Sequence, residues 1–162
     1  MELKKIKDSI KALRLIQNFL MFFVFVMGVV IYGFNYDKPI FPSSPGLEVM
    51  MILPALILIG ALFFSPYYMK KSLNYLNNPD TLLKEKITTY TVAHLIRVSL
   101  FEAAGLAGAA ISFVTESKIN LVTIVIVLFI LYTLRPTTFR ISNELNLSLK
   151  EREQLNLIDQ ED

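Results

Sequence analysis

Long apolar runs alternate with short polar stretches along this chain. Charged residues make up 19% of the sequence and cluster between the runs, whereas hydrophobic residues make up 54%. An apolar run of roughly 20 residues is the length that a helix needs to cross a bilayer. The pattern predicts an all-α, membrane-embedded four-helix bundle that occupies residues 1–134. Its spans are expected at about residues 13–34, 47–68, 91–114 and 119–134.

The first and fourth runs each allow a second interpretation. The first follows five basic residues, as in a signal peptide, but it is longer than a signal sequence and no small-residue cleavage site follows it. The fourth has about 16 apolar residues and is rich in Val and Ile, which in water would indicate a strand. Because a lone strand leaves backbone groups unpaired in lipid, we expect a helix whose ends reach the interface or thin the bilayer.

Lysine and arginine residues are unequally distributed between the connecting segments. Thirteen of the 16 lie in the N-terminal segment, the second loop and the C-terminal tail. The first and third loops carry only Lys38 and Lys118, and Arg97 lies within the third span. Basic residues favour the cytoplasmic side of a membrane. The charge distribution therefore predicts a multi-pass protein with both termini in the cytoplasm.

Two segments outside the spans carry helix signals. Asn78-Pro79-Asp80 is typical of a helix start, so one helix is expected from Pro79 to Val114. Its beginning and the continuation of the second span would form a cytoplasmic helical hairpin with its tip near Asn77 and Asn78. The tail, residues 135–162, is predicted to contain short amphipathic helices, with a capping box between Ser148 and Glu151. This tail could pack on the hairpin or lie on the membrane surface.

Several functional classes are disfavoured by composition. The chain has no cysteine and one histidine, which excludes disulfides, thiolate metal sites and multi-histidine metal sites. The net charge of +2 gives no reason to expect nucleic-acid binding. No cofactor motif is present, and the polar residues of the spans are too few to form a nucleophile–base pair, so we do not expect an enzyme.

The third span carries the polar groups at membrane depth. It holds the only histidine, His94, together with Arg97 and Glu102. At 100° per residue these side chains share one broad face, which we expect to point into the bundle or towards a partner subunit. Small residues that permit close helix approach follow them on the same span: Ala104, Gly105, Gly108, Ala109 and Ser112.

Two interpretations of this face remain open. His94, Arg97 and Glu102 are a proton or ion relay, or they are structural groups that snorkel or form hydrogen bonds with other helices. Gln17 and Asn18 lie at the cytoplasmic end of the first span and are either interfacial anchors or partners for groups at the level of His94 and Arg97. The small residues serve either packing within the chain or oligomerisation.

The second half of the chain resembles small four-span bacterial membrane proteins of the Bacteroidota type, to which no activity is assigned. The resemblance covers about residues 79–155 and rests on these residues: Tyr90, Ala93, Arg97, Leu100, Glu102, Ala103, Arg135, Pro136, Thr137, Leu145, Leu147 and Ser148. It implies the architecture and a bacterial inner membrane. The small-residue face and the projecting hairpin lead us to expect a non-enzymatic accessory, assembly or interaction subunit of a membrane complex. A small proton-linked transporter or ion conductor that uses Glu102 is the alternative.

Overall fold

The computed structural model describes residues 2–42, 46–74, 76 and 81–160, without the side chains of residues 2, 3, 48 and 156–160. Within this part the chain is helical and has no strand, so the predicted all-α class is confirmed. The helices are α1 (Glu2–Phe34), a 3₁₀ helix (Leu47–Met51), α2 (Ile52–Asn74), α3 (Leu83–Val114), α4 (Leu121–Thr133), α5 (Thr138–Glu144) and α6 (Leu149–Gln160).

Three helical segments are long and apolar enough to cross a membrane: Lys4–Phe34, Val49–Asn74 and Leu83–Val114. The fourth apolar run forms α4, whose 13 residues extend about 20 Å. This is shorter than a hydrocarbon core of roughly 30 Å. α5 follows α4 after a bend of 84°, and a fourth crossing is counted only when the two helices are taken together.

The starts of α1 and α3 compare differently with the sequence expectations. α1 begins at Glu2 and so extends beyond the predicted span of residues 13–34, with buried side chains recurring at helical spacing from its first turns onwards. These side chains are Ile6, Ile10, Leu13, Gln17, Val24 and Ile31. α3 begins at Leu83, after the extended residue Leu82, whose carbonyl accepts the first helical hydrogen bonds. The predicted start at Pro79 is therefore four residues too early, and Asn78 and the hairpin tip lie outside the described residues.

α3 is the central helix, since it packs against α1, α2 and α4. One hydrophobic cluster lies between these four helices, with Phe101, Ala104 and Val127 among its members. A second cluster joins the start of α1, the end of α2, the start of α3 and the two tail helices. Its buried residues are Ile6, Ile10, Leu13, Met69, Leu73, Leu76, Ile87, Tyr90, Ala93, Ile141, Leu145, Leu147 and Leu155. We call this the tail end of the bundle.

The tail packs against the rest of the chain. Ile141 of α5 and Leu155 of α6 are fully buried in the second cluster. The predicted capping box is present: the backbone N–H of Ser148 donates to Glu151 at 2.8 Å, and Glu151 N donates to the Ser148 hydroxyl at 3.4 Å. Lys86 of α3 forms an ion pair of 2.8 Å with Glu151. Apolar contacts and this ion pair thus help to hold the tail on the tail end.

Candidate functional site

The polar residues of α3 divide into two groups. His94 is fully buried and Arg97 is 9% exposed, and both lie where α3 meets the tail end of the bundle. Glu102 lies farther along α3, about 7.5 Å along the axis from Arg97. Among the described residues, His94 and Arg97 form hydrogen bonds with further polar side chains, whereas Glu102 forms none. His94, Arg97 and the side chains bonded to them therefore form a polar cluster that does not include Glu102.

His94 connects three helices through Gln17. The Nε2 atom of Gln17 donates to the carbonyl of Leu131 in α4 at 2.7 Å, which turns the Gln17 Oε1 towards His94. This oxygen lies 2.9 Å from His94 Nε2 and can only accept, so the imidazole carries its proton on Nε2. The Nδ1 atom then accepts from the Tyr90 hydroxyl, at 3.5 Å. Gln17 was one of two residues that the sequence offered as an interfacial anchor or as a partner at the level of His94 and Arg97, and its side chain joins α1 to α3 and α4.

Arg97 is held between α2 and the tail. Its Nε donates to the Ser65 hydroxyl at 3.2 Å, and its Nη1 donates to Glu144 of α5 at 3.0 Å. The same carboxylate oxygen accepts from Arg140 Nε at 3.1 Å. A second nitrogen of Arg140 donates to the carbonyl of Thr133, at the end of α4. Glu144 thus neutralises Arg97 and links α3 to the corner between α4 and α5.

Glu144 is charged in this environment. Burial alone raises the pKa of a carboxyl group, but Arg97 and Arg140 outweigh burial and hold the pKa of Glu144 below its ordinary value. A cavity of about 270 Å³ adjoins the cluster. Its lining residues are Met69, Lys70, Leu73, Asn74, Arg97, Glu144 and Asn146. The geometry is that of an ion pair between helices, in which Glu144 Oε1 accepts from both arginines while Oε2 is buried and makes no hydrogen bond with a described residue.

Glu102 has a different environment. It is partly buried and makes no hydrogen bond or ion pair within the part of the chain that the structure describes. Ser99 and Ala103, beside it on α3, are exposed. Glu102 therefore lies at the border of the one side of α3 that is not covered by α1, α2 or α4.

The five small residues of α3 that the sequence analysis assigned to close helix packing are all buried within the chain: Ala104, Gly105, Gly108, Ala109 and Ser112. A Cβ atom on Gly105 would lie 3.1 Å from Cγ1 of both Val24 and Val127, and one on Gly108 would lie 3.2 Å from the Asn120 carbonyl. Such contacts are tighter than ordinary van der Waals packing. These two glycines let α3 approach α1 and α4 closely.

A second polar cluster ties the loops at the opposite end of the bundle. The amide nitrogen of Asn35 donates to the carbonyl of Ser112 at 2.9 Å and to the carbonyl of Ser117 at 3.3 Å. Lys38 pairs with Glu116 at 2.5 Å. Backbone hydrogen bonds from residues 118 and 119 to residues 39 and 40 join the first and third loops. The sequence expectations gave Asn35 no role. A polar side chain directly after a long apolar run is nevertheless a signal for a residue that caps backbone carbonyl groups at the end of a neighbouring helix.

Glu144 was also missed by sequence reasoning, because it lies 47 residues from Arg97. A signal was present. Glu144 is the only acidic residue between positions 119 and 150, and Arg140 precedes it by four residues, a spacing that brings side chains together on a helix. An arginine in an apolar helix needs a partner, and the nearest acidic residue after the fourth run is this one.

Searches against protein-family models, curated proteins and solved structures find no match to this chain. Its function is therefore inferred from its own residues. Within the described residues no group of His, Asp and Glu side chains could hold a metal ion.

Proposed function

We propose that this chain crosses a bacterial inner membrane four times, with both termini in the cytoplasm, and acts as an interaction or assembly subunit of a larger membrane complex. The charge distribution supports the orientation, since the basic residues at the start of α1, at the end of α2, at the start of α3 and in the tail all belong to one end. α4 forms the fourth crossing, and the bilayer thins locally or the flanking polar residues reach the interface.

The interaction role rests on the environment of Glu102. A carboxyl group within an apolar span is costly unless it is paired or hydrogen bonded. Arg97, which is the basic residue nearest to it on α3, is already paired with Glu144. No other described side chain bonds to Glu102. A membrane helix from outside the chain, belonging to a second copy or to another subunit, supplies the missing hydrogen-bond partner.

The uncovered side of α3 fits this role. Ser99, Ala103 and Ala110 are exposed on it, and small side chains let a second helix approach the backbone. Glu102 lies beside these residues. The contact would combine close packing with one strong polar interaction, the combination that stabilises helix association in lipid.

Proton-linked transport by Glu102 is less well supported. A transport carboxylate needs an aqueous path, and Glu102 lines neither the cavity beside Arg97 nor a second cavity near Arg135. His94 is committed to Gln17, and Arg97 is committed to Ser65 and Glu144. The three residues therefore do not form a continuous relay among the described side chains.

Purification in a mild detergent, followed by native mass spectrometry, tests the interaction role. We expect a discrete oligomer or a second subunit to accompany the wild-type chain. Glu102→Leu should release it, and Glu102→Gln should retain part of it because the amide still forms hydrogen bonds. Glu85→Gln, at an exposed position near the start of the same helix, is the matched control and should have no effect.

A wild-type chain that is monomeric in every mild detergent would contradict the interaction role. Proton flux in proteoliposomes that is lost in Glu102→Gln, with Glu85→Gln unchanged, would instead favour the transport alternative.

A further inference from the structure

A cavity of about 260 Å³ lies at the corner between α4 and α5. Arg14, Asn18, Arg135, Pro136 and Thr137 line it. Two guanidinium groups, an amide and a hydroxyl therefore border this space, and no carboxylate is among its described lining residues. The chemistry of the lining is that of an anion site.

Hydrogen bonds to neutral groups help to orient both arginines. Arg14 Nε donates to the carbonyl of Pro136 at 3.0 Å, and Arg135 Nη2 donates to Asn18 Oδ1 at 3.0 Å. The guanidinium of Arg135 also lies 5.3 Å from the centre of the Tyr132 ring. A guanidinium has five N–H donors, so the bond to Asn18 leaves Arg135 able to bind an anion. These contacts fix two cationic groups around one space.

The position of the cavity corresponds to the surface of a bilayer. α4 ends at Thr133, and α5 runs at 84° to it. If α4 crosses the membrane, α5 must lie nearly along the membrane surface. Tyr132 and Phe139 are 59% and 75% exposed on either side of the corner, as expected for aromatic residues at a membrane interface. The cavity then lies at the depth of the lipid headgroups.

We propose that this cavity binds the phosphate group of an anionic phospholipid headgroup. Arginine matches phosphate with paired, charge-assisted hydrogen bonds, and two arginines give a site selective for negative charge. The cytoplasmic leaflet carries anionic lipids, which agrees with the orientation proposed above. Free inorganic phosphate shares this chemistry. The site requires the membrane crossing of α4 but does not require the partner of Glu102.

Native mass spectrometry of the full-length chain from lipid nanodiscs measures the retained lipid. We expect the wild type to retain phosphatidylglycerol in preference to phosphatidylcholine. Replacing both Arg14 and Arg135 by Gln should reduce retained phosphatidylglycerol by about tenfold, since several charge-assisted hydrogen bonds are lost. Arg135→Gln alone should reduce the retained phosphatidylglycerol by a smaller factor. Because Arg135 is exposed, this single variant keeps the proposal testable if the double variant misfolds. The matched control is Lys84→Gln with Lys150→Gln, which removes two exposed positive charges elsewhere.

Two results would overturn the proposal. The first is an equal loss of lipid in the arginine variants and in the lysine control, because attraction would then depend on net charge alone. The second comes from a separate titration of the wild type with inorganic phosphate in lipid-free detergent. At millimolar phosphate we expect no increase in thermal stability. A stabilisation that disappears in Arg135→Gln would identify free phosphate, rather than a lipid, as the ligand.

Discussion

The side-chain oxygen of Gln17 lies 2.9 Å from Nε2 of His94, inside a fully buried contact between α1 and α3. The amide nitrogen of the same glutamine donates to the Leu131 carbonyl in α4. One polar side chain thus joins three helices at the level where the apolar bundle meets the tail end. Its position means that His94 is a structural group of this fold.

Replacing Gln17 by Leu should destabilise the protein strongly. The substitution keeps a similar volume but leaves His94 Nε2 and the Leu131 carbonyl without partners, which costs about 2–3 kcal/mol. Equilibrium unfolding in detergent measures this change. Gln154→Leu, at an exposed position in α6, is the control and should alter the free energy of unfolding by no more than about 0.5 kcal/mol. A Gln17→Leu variant as stable as this control would show that the His94 contact does not hold the helices together.

Gly105→Leu should disrupt the packing of α3. A Cβ atom at this position already lies 3.1 Å from Val24 and Val127, so a larger side chain forces the helices apart, at a cost of about 1–3 kcal/mol. Gly60→Leu in α2 is the control, because a Cβ atom there meets nothing within 4 Å. Thermal unfolding should separate the two variants. Equal midpoints would mean that α3 is not closely packed at Gly105.

Acid should loosen the tail through Glu151. Burial raises the pKa of this carboxyl, but hydrogen bonds from Lys86 and Ser148 outweigh burial and hold the pKa below its ordinary value of 4.5. Since the folded-state pKa is lowered, the ion pair stabilises the tail at pH values above 4.5, and this stabilisation is lost as the pH falls below that value. A spin label at exposed position 153 should therefore become more mobile on acidification.

Glu151→Gln provides the control for the acid response. The variant should have a mobile tail at neutral pH and a smaller change on acidification, with the remainder coming from Glu144, whose pKa is also lowered. A wild-type tail that is equally immobile at pH 3 and pH 7 would contradict the role of the Lys86–Glu151 pair.

The apolar runs predicted the helical class and the ends of two long helices, because the length and position of such a run are local properties of the chain. α1 ends at Phe34 and α3 ends at Val114, as predicted. The predicted start of α3 at Pro79 was wrong. Asn78-Pro79 is a local helix signal, but the helix begins only after the extended residue Leu82. Local rules cannot weigh such a signal against the packing of the following residues.

The polar cluster was only partly predictable for a related reason. His94 and Gln17 could be matched because both lie at the same depth in predicted spans. Glu144 could not, because the bend between α4 and α5 folds it back onto Arg97, and nothing in the periodicity of the fourth run encodes that angle. Glu102 was predicted on the same face as His94, and its separation from the cluster depends on which sides of α3 the other helices cover.

The number of membrane crossings is tested most directly by single-cysteine labelling in intact cells, since the chain has no native cysteine. A membrane-impermeant maleimide should label cysteine at exposed position 116 from outside the cell. Cysteine at positions 8 and 153 should be labelled only after lysis, because the proposed arrangement has both termini in the cytoplasm. Labelling of positions 116 and 153 from the same side of the membrane would show that α4 does not cross the bilayer and would contradict the four-span arrangement.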